Sequence, residues 1–355
     1  MKQMSLFDIE GDNCVKKGIP FKCHFDLSYH CNMKCIHCYV LEKKQPTLTT
    51  IEIKDILRQL ASSGTLYIHF SGGEIFTRKD FFEIADYARK LHFALILSTN
   101  GTLIDEKIAD KIASLNPFKV SISIYSSHAK THDSITRVSG SFKKSVNAIK
   151  LLKERGLWVT INNMVMKQNI HDYHNVYHLS KSLGVNFQVD PQITPRIDGN
   201  KNPVKFQINE KDLYQVMSDP LIIGLESEKS ENYYKNAKHM VNEDEVEILD
   251  IPCMASHSFF YISPYGDVYP CVQFPVSAGN LTEKSFDWIW NYSPSMLNAR
   301  SLRMSKIPAC SKCENLSYCN FCPGLAHMES GDVKLPYQRA CQEAEIRSKI
   351  NREKK

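Results

Sequence analysis

The chain has 355 residues, enough for one large domain, a smaller one and a sizeable buried core. Its apolar share of 43% is that of an ordinary globular protein, and a formal charge of +5 with no Lys/Arg block or basic aromatic stripe gives nucleic-acid binding no support. No apolar run approaches the length of a membrane span and residues 1–20 lack the apolar core of a signal peptide, so a cytoplasmic setting is expected, where the twelve cysteines read as metal ligands more readily than as disulfides.

After a polar lead over 1–20, the stretch Phe21-Lys22-Cys23-His24-Phe25-Asp26-Leu27 alternates apolar and polar and reads as a strand. Its carboxyl end runs into Cys31-Asn32-Met33-Lys34-Cys35-Ile36-His37-Cys38-Tyr39. Three thiols separated by gaps of three and two can curl around one compact metal object. The pattern then predicts a helix over 49–63, capped by Thr50 or its neighbour, and a strand over 66–70 that ends in Ser71-Gly72-Gly73-Glu74. A helix over 79–91 and a strand over 94–97 lead to Ser98-Thr99-Asn100-Gly101. A helix over 105–115, a strand over 119–125, a helix over 141–155, a strand over 158–165, a helix over 171–183 and a strand over 185–189 complete six units. The expected class is α/β, a parallel sheet curled into a partial (β/α)6, TIM-like barrel over 21–194.

Alternation within these strands predicts what each face meets. If Phe21, Phe25, Ile122, Ile124, Phe187 and Val189 face the helices, then Lys22, His24, Asp26, His69, Ser121, Ser123, Asn162, Gln188 and Asp190 face the interior. A six-unit barrel that does not close would then hold a wet, ligand-sized space.

From 195 to 250 the rhythm stops, and a connector with one or two helices, over 209–217 and 228–241, is expected. Its acidic run Glu243-Asp244-Glu245-Val246-Glu247 reads as a solvated face. Cysteines return over 251–345. Ser263-Pro264-Tyr265-Gly266-Asp267 suits a hairpin turn that draws Cys253 and Cys271 together. A helical stretch over 285–304 precedes Cys310, Cys313, Cys319, Cys322 and Cys341, so this segment should be held by metal more than by a core. Residues 346–355 read as a charged, solvated tail. Cys14 and Cys23 are expected to be ordinary thiols.

On the residues alone the first three thiols suit a structural zinc knuckle or an iron-sulfur cluster, and the CxxC repeats after 310 equally suit zinc ribbons. The CxxxCxxC run followed by the Gly72-Gly73-Glu74 turn resembles the radical S-adenosylmethionine (SAM) superfamily. That resemblance implies a 4Fe-4S cluster on Cys31, Cys35 and Cys38 whose open iron holds SAM, with Gly72, Gly73 and Glu74 holding the methionyl amine. It further implies a SAM-contacting role for Ser123, Asn100, His37 or Tyr39, and a carboxylate partner in Arg137 or Lys144. The C-terminal cysteines resemble the SPASM domain, with one departure: the last gap of the central run holds two residues where three are usual. Carried over, one auxiliary cluster falls on Cys310, Cys313, Cys319 and Cys341. A second, with an unassigned fourth ligand, falls on Cys253, Cys271 and Cys322.

The resemblance implies reductive cleavage of SAM to a 5'-deoxyadenosyl radical that takes a substrate hydrogen, fed by a flavodoxin- or ferredoxin-type donor. The leading expectation for substrate is a ribosomally made peptide, modified by crosslink, thioether or excision, with a separate leader-recognition protein as a possible partner. The alternatives are a small-molecule or tetrapyrrole substrate in cofactor biosynthesis, or a non-catalytic iron-sulfur or zinc protein. No residue is singled out as acting on substrate.

Overall fold

The computed structural model describes residues 14–41, 45–221 and 250–353. Six strands, β1 (Lys22–Ser28), β2 (Tyr67–Gly72), β3 (Ala94–Thr99), β4 (Lys119–Ser123), β5 (Val159–Met164) and β6 (Asn186–Asp190), run parallel in sequence order, each joined to the next through helix. The connecting helices begin where the sequence supplies caps. Thr49 and Glu52 form a capping box for the helix Thr50–Ser62, and Asp105 accepts from the Ile108 amide to start Glu106–Leu115.

Three more strands, β7 (Phe259–Ile262), β8 (Asp267–Tyr269) and β9 (Gly279–Asn280), extend the same sheet beyond β1. The order becomes β6-β5-β4-β3-β2-β1-β7-β8-β9. The pairing of β7 with β1 is parallel, while β7 with β8 forms the expected hairpin, Tyr261 opposite Tyr269. The boundary expected near 251 is thus a change of connectivity within a continuous sheet. Its ends, β6 and β9, are not paired to one another, so the barrel stays open.

The face assignment holds on the central strands. Cys23, Phe25, Leu27, Ile68, Phe70, Leu95, Leu97, Val120, Ile122 and Ile161 are buried together against the helices. Large side chains such as Phe25, Phe70 and Phe81 are fully covered there, and each contributes about 1.5–3 kcal/mol. The intervening positions turn polar groups inward, where the rings of His24 and His69 meet at 4.6 Å and His24 meets Tyr261 at 5.4 Å.

Several segments differ from expectation. A helix Ala129–Thr136 follows β4, and another, Pro323–Ser330, follows Cys322; neither was foreseen. The stretch 285–304 is two helices, Phe286–Tyr292 and Pro294–Arg300, because Pro294 can start a helix but not continue one. The supposed tail is corrected most: helix Gln338–Glu353 runs on, with Asn351 Nδ2 donating to the Tyr318 hydroxyl at 2.7 Å and the Tyr214 hydroxyl to Glu353 at 2.6 Å. In the connector the first helix is present as Glu210–Ser218, its Leu213, Val216 and Met217 packed with Val165, Tyr173 and Ile346. The expected helix over 228–241 and the acidic run lie outside the described residues. Among the described residues no helix is long and apolar enough to cross a membrane.

Asp133 provides a test of how the helix after β4 is fastened. Its carboxylate accepts from the Gly140 amide (2.7 Å), the Phe142 amide (2.9 Å) and the Ser141 hydroxyl (2.8 Å), capping the helix Ser141–Glu154 from outside. Burial alone would raise its pKa, but these bonds outweigh it and hold the group below the usual carboxylate value. Asp133→Asn should cost about 1 kcal/mol at neutral pH in urea unfolding. Because the folded pKa is depressed, that stability is present above the unfolded value near pH 4 and lost as pH falls through the folded one. The gap between wild type and variant should therefore close in acid.

Candidate functional site

Because the strands are parallel, the loops after them gather at one end of the barrel. The first carries Cys31, Cys35 and Cys38. Its backbone is fixed by pairing with the end of the helix after β4: Lys34 donates to the Thr136 carbonyl (3.1 Å) and Ile36 to the Ile135 carbonyl (3.0 Å). Arg78, unforeseen from sequence, spans both flanks of the loop. One guanidinium nitrogen donates to the Leu27 carbonyl and another to that of Leu48, each at 2.9 Å, while Asp80 holds the guanidinium from behind.

The three thiols face one another closely enough to interact. Burial pushes Cys35 up to about 12, with Cys38 and Cys31 adding to the shift, and burial pushes Cys31 up to about 11. Cys38 is raised by burial too, against the opposing charge of Arg196, another residue sequence reasoning missed. No periodic signal marked Arg196; it lies just past β6, where Ile197 donates to the Tyr39 carbonyl at 3.0 Å.

The Ser71-Gly72-Gly73-Glu74 turn packs directly on this loop. Gly73 donates to the Ser28 carbonyl (2.7 Å) and Glu74 to the His30 carbonyl (2.9 Å). A Cβ on Gly72 would fall 2.2 Å from the Ser28 oxygen, and one on Gly73 2.1 Å from that of His30. The close approach these glycines allow is therefore to the cysteine loop itself.

The Glu74 carboxylate, expected to face an ammonium group, is turned into the protein. It accepts from the Thr99 hydroxyl (2.7 Å), the Asn100 amide (2.7 Å) and the Phe76 amide (3.2 Å), and is 1% exposed. Burial raises its pKa against those three bonds. Asn100 is likewise a strap: its Nδ2 donates to Asn32 Oδ1 at 2.8 Å and lies 3.9 Å from Cys31 Sγ, while its Oδ1 accepts from the Thr102 amide.

His37, Ser123 and Tyr39 lie around the thiols. The His37 ring meets Tyr125 edge-on at 4.7 Å, and the Tyr125 side chain hydrogen-bonds those of Ser123 and Cys35. Burial depresses the His37 pKa to about 4, so the imidazole is neutral, and its Nδ1 is buried with no hydrogen-bond partner among the described residues. Asn162 Oδ1, opposite Ser123 on β5, is in the same condition. Beside them Ile135, Met166 and Ile193 form an apolar cluster with Ile36, Tyr125 and Met164. An apolar wall with unmet polar atoms suits a flat heteroaromatic ligand. Tyr39 hydrogen-bonds Ser71 and is held protonated by burial. Arg137 and Lys144 are both exposed.

Toward β7 the interior carries a buried chain not read from the sequence. Asp26 lies 3.0 Å from His24 Nε2 and accepts from the Tyr261 hydroxyl at 2.9 Å, and Tyr261 in turn meets the Tyr29 hydroxyl at 2.5 Å.

The remaining cysteines fall into two groups. Cys319, raised to about 12 by burial, interacts with Cys310, Cys341 and Cys313. Cys253, also raised to about 12 by burial, interacts with Cys322 and Cys271. These are the sets of four and three named above. Gly324 helps assemble the second, since a Cβ there would sit 2.3 Å from the Gln273 oxygen. Among the described residues no three Cys, His, Asp or Glu side chains are close enough to hold a single ion.

The sequence model of the radical SAM superfamily matches residues 26–180, and that of an iron-sulfur cluster-binding domain, SPASM, matches 253–314. An AdoMet-dependent heme synthase of Methanosarcina barkeri is 28% identical over 329 residues, 87% of this chain and 92% of its own. The antilisterial bacteriocin subtilosin biosynthesis protein AlbA of Bacillus subtilis is 29% identical over 324 residues, covering 86% and 67%. Crystal structures of Streptococcus suis SuiB, bound to S-adenosylmethionine and bound to precursor peptide SuiA, each give a TM-score of 0.73 at 18% identity. They cover 92% and 94% of this chain and 79% of SuiB, a likeness of fold.

Proposed function

We infer that this chain, which belongs to the radical SAM superfamily and carries a SPASM domain, modifies a ribosomally made peptide by hydrogen abstraction. The observation that carries the peptide reading is the open barrel: the sheet stops at β6 without closing on β9, so an extended chain can enter from the side. The similarity to AlbA supports it across both matched regions.

The residues fit the cofactors. Three mutually facing thiols with no fourth cysteine among them leave one corner of a 4Fe-4S cluster for SAM, and the apolar wall beside His37, with its unmet Nδ1, suits the adenine. When bound, cluster and SAM together supply a carbon radical able to take hydrogen from an unactivated C–H. The chain's own residues do the positioning. Arg78 and Asn100 fix the cysteine loop, Gly72 and Gly73 bring the turn after β2 against it, and Tyr125 orients Cys35 and Ser123. In this reading Gly72, Gly73 and Glu74 would hold the methionyl amine, and Glu74 also fixes the turn's shape through Thr99 and Asn100. Arg196, near Cys38, is a better carboxylate partner than the exposed Arg137 or Lys144.

We place the protein in the cytoplasm, with a flavodoxin- or ferredoxin-type donor and a separate leader-recognition protein. The working division is barrel 21–194, connector 195–250 and cluster domain 251–345. The heme synthase similarity, which spans 92% of that enzyme, supports a tetrapyrrole substrate as the second reading. Anaerobic incubation with SAM, reductant and the short peptide encoded beside the gene decides between them: a mass change in the peptide supports the first. Deoxyadenosine formed only with a propionate-bearing porphyrin supports the second.

Cys322→Ala tests the auxiliary set of three. The variant should still make deoxyadenosine but lose product, raising the ratio of deoxyadenosine to modified substrate at least about tenfold. Normal product yield would remove Cys322 from the chemistry.

A further inference from the structure

The chemistry above leaves one buried carboxylate without a task. Lys22, His24 and Asp26 share the face of β1 that looks away from the helices, since Cys23, Phe25 and Leu27 between them lie in the core. Being two residues apart on that face, His24 and Asp26 meet: the imidazole Nε2 lies 3.0 Å from Asp26 Oδ1. The other carboxylate oxygen accepts from the Tyr261 hydroxyl at 2.9 Å, and the Tyr29 hydroxyl meets that of Tyr261 at 2.5 Å. Asp26 is fully buried, and burial keeps Tyr261 protonated, so the phenol donates and the carboxylate is held in place.

A carboxylate so held orients the imidazole in turn. It accepts and does not donate, so the ring proton sits on Nε2 and Nδ1 keeps its lone pair. Among the described residues Nδ1 has no hydrogen-bond partner, and it is not sealed, for the side chain keeps 12% exposure. The space beside it is open: Lys22, His69, Ser98 and Ser123 on the interior face are partly exposed, while the helix-facing side chains between them are buried.

The other groups facing His24 are Lys22, the preceding interior position on its own strand, His69 on β2 at 4.6 Å between ring centroids, and Tyr261 on β7 at 5.4 Å. Burial holds His69 neutral and it shares a 2.6 Å hydrogen bond with Ser98, so it sets no second imidazolium beside one formed on His24. A ring nitrogen aimed into an open space, with its partner nitrogen fixed by an anchored carboxylate, is how an imidazole is prepared to take a proton.

We propose that His24 is the general base of the peptide modification, with Asp26 and Tyr261 as its positioning residues. The assignment rests on the peptide reading above, because joining two groups of a peptide releases a proton. For a thioether, one hydrogen atom leaves a peptide C–H for the deoxyadenosyl radical, and the thiol S–H gives its proton to His24 Nδ1. The sulfur lone pair and the carbon radical then form the C–S bond. That bond holds two of their three electrons, and the third passes to an oxidised iron-sulfur cluster.

His24→Gln keeps a hydrogen-bonding group beside Asp26 and removes the base. Asp26→Asn must turn its oxygen to the Tyr261 hydroxyl and its amide nitrogen to the ring, which moves the ring proton to Nδ1. The reconstituted full chain would be assayed with SAM, reductant and the short peptide encoded beside the gene. Modified peptide should fall at least about a hundredfold in each variant, and the acid-side inflection of the wild-type pH profile should be missing from His24→Gln. Nitrogen NMR of isotope-labelled protein, a readout that needs no turnover, should find the His24 proton on Nε2 in wild type and on Nδ1 in Asp26→Asn. Wild-type yield from His24→Gln, an unchanged pH profile, or a wild-type proton on Nδ1 would overturn the base and leave the peptide reading standing. A wild type that does not modify the peptide sinks that reading and this assignment with it. Should a variant fail to fold, the position of the wild-type ring proton still decides.

Discussion

A Cys35→Ala variant should form no 5'-deoxyadenosine above background while keeping the iron held by the C-terminal thiols, about two-thirds of the total if three four-iron clusters are present. The structure makes this a loss of a ligand and not of a fold. The loop is held by backbone pairing to Ile135 and Thr136, by Arg78 at both flanks and by Asn100 on Asn32, none of which uses a sulfur of Cys35. Exchanging a free thiol for a methyl group at such a place changes stability by about 1 kcal/mol or less. Cys23→Ala is the matched control: that thiol is fully buried on the helix-facing side of β1, so its loss should leave SAM cleavage intact. Full deoxyadenosine production by Cys35→Ala would remove the basis for placing the cluster on this loop.

Sequence and fold agree where a short-range rule governs. Period-two alternation placed Cys23, Phe25 and Leu27 against the helices and His24 and Asp26 inward, and β1 to β6 follow with boundaries shifted by a residue or two. Cysteine spacing separated the ten clustered thiols from Cys14 and Cys23. The division into sets of four and three is the one carried over by resemblance, and the structure brings the same thiols together.

What stayed hidden depends on distant parts of the chain. Nothing local announces that β7 will pair with β1 across more than two hundred residues, or that this pairing sets Tyr261 on Asp26. Arg78 looks like a surface residue before a helix until Leu27 and Leu48 arrive on either side of it. The charged composition of 346–355 argued for solvent, but Tyr318 and Tyr214 give Asn351 and Glu353 partners. The glycines of the turn after β2 point to a ligand because backbone approach is what glycine allows, and the fold adds a second approach that the sequence does not announce, that of the Ser28 and His30 backbone.

The tight approach of this turn to the cysteine loop gives the largest expected structural effect. In Gly73→Ala the new Cβ would lie 2.1 Å from the His30 carbonyl oxygen, 2.6 Å from its carbon and 2.7 Å from the Tyr29 oxygen. All three are backbone atoms, so no side-chain rotation relieves the contact. Either the turn or the cysteine loop must move, and His30 directly precedes Cys31. Overpacking of this kind costs about 3 kcal/mol or more. Spread over 355 residues, that lowers the unfolding temperature by roughly 4 °C. Gly199→Ala separates the clash from ordinary backbone strain: its φ of 82° also disfavours alanine, but the new Cβ would meet nothing within 4 Å. It should cost about 1 kcal/mol and leave the iron content unchanged. If Gly73→Ala instead loads its N-terminal cluster and cleaves SAM like wild type, the turn after β2 does not set the position of the cysteine loop.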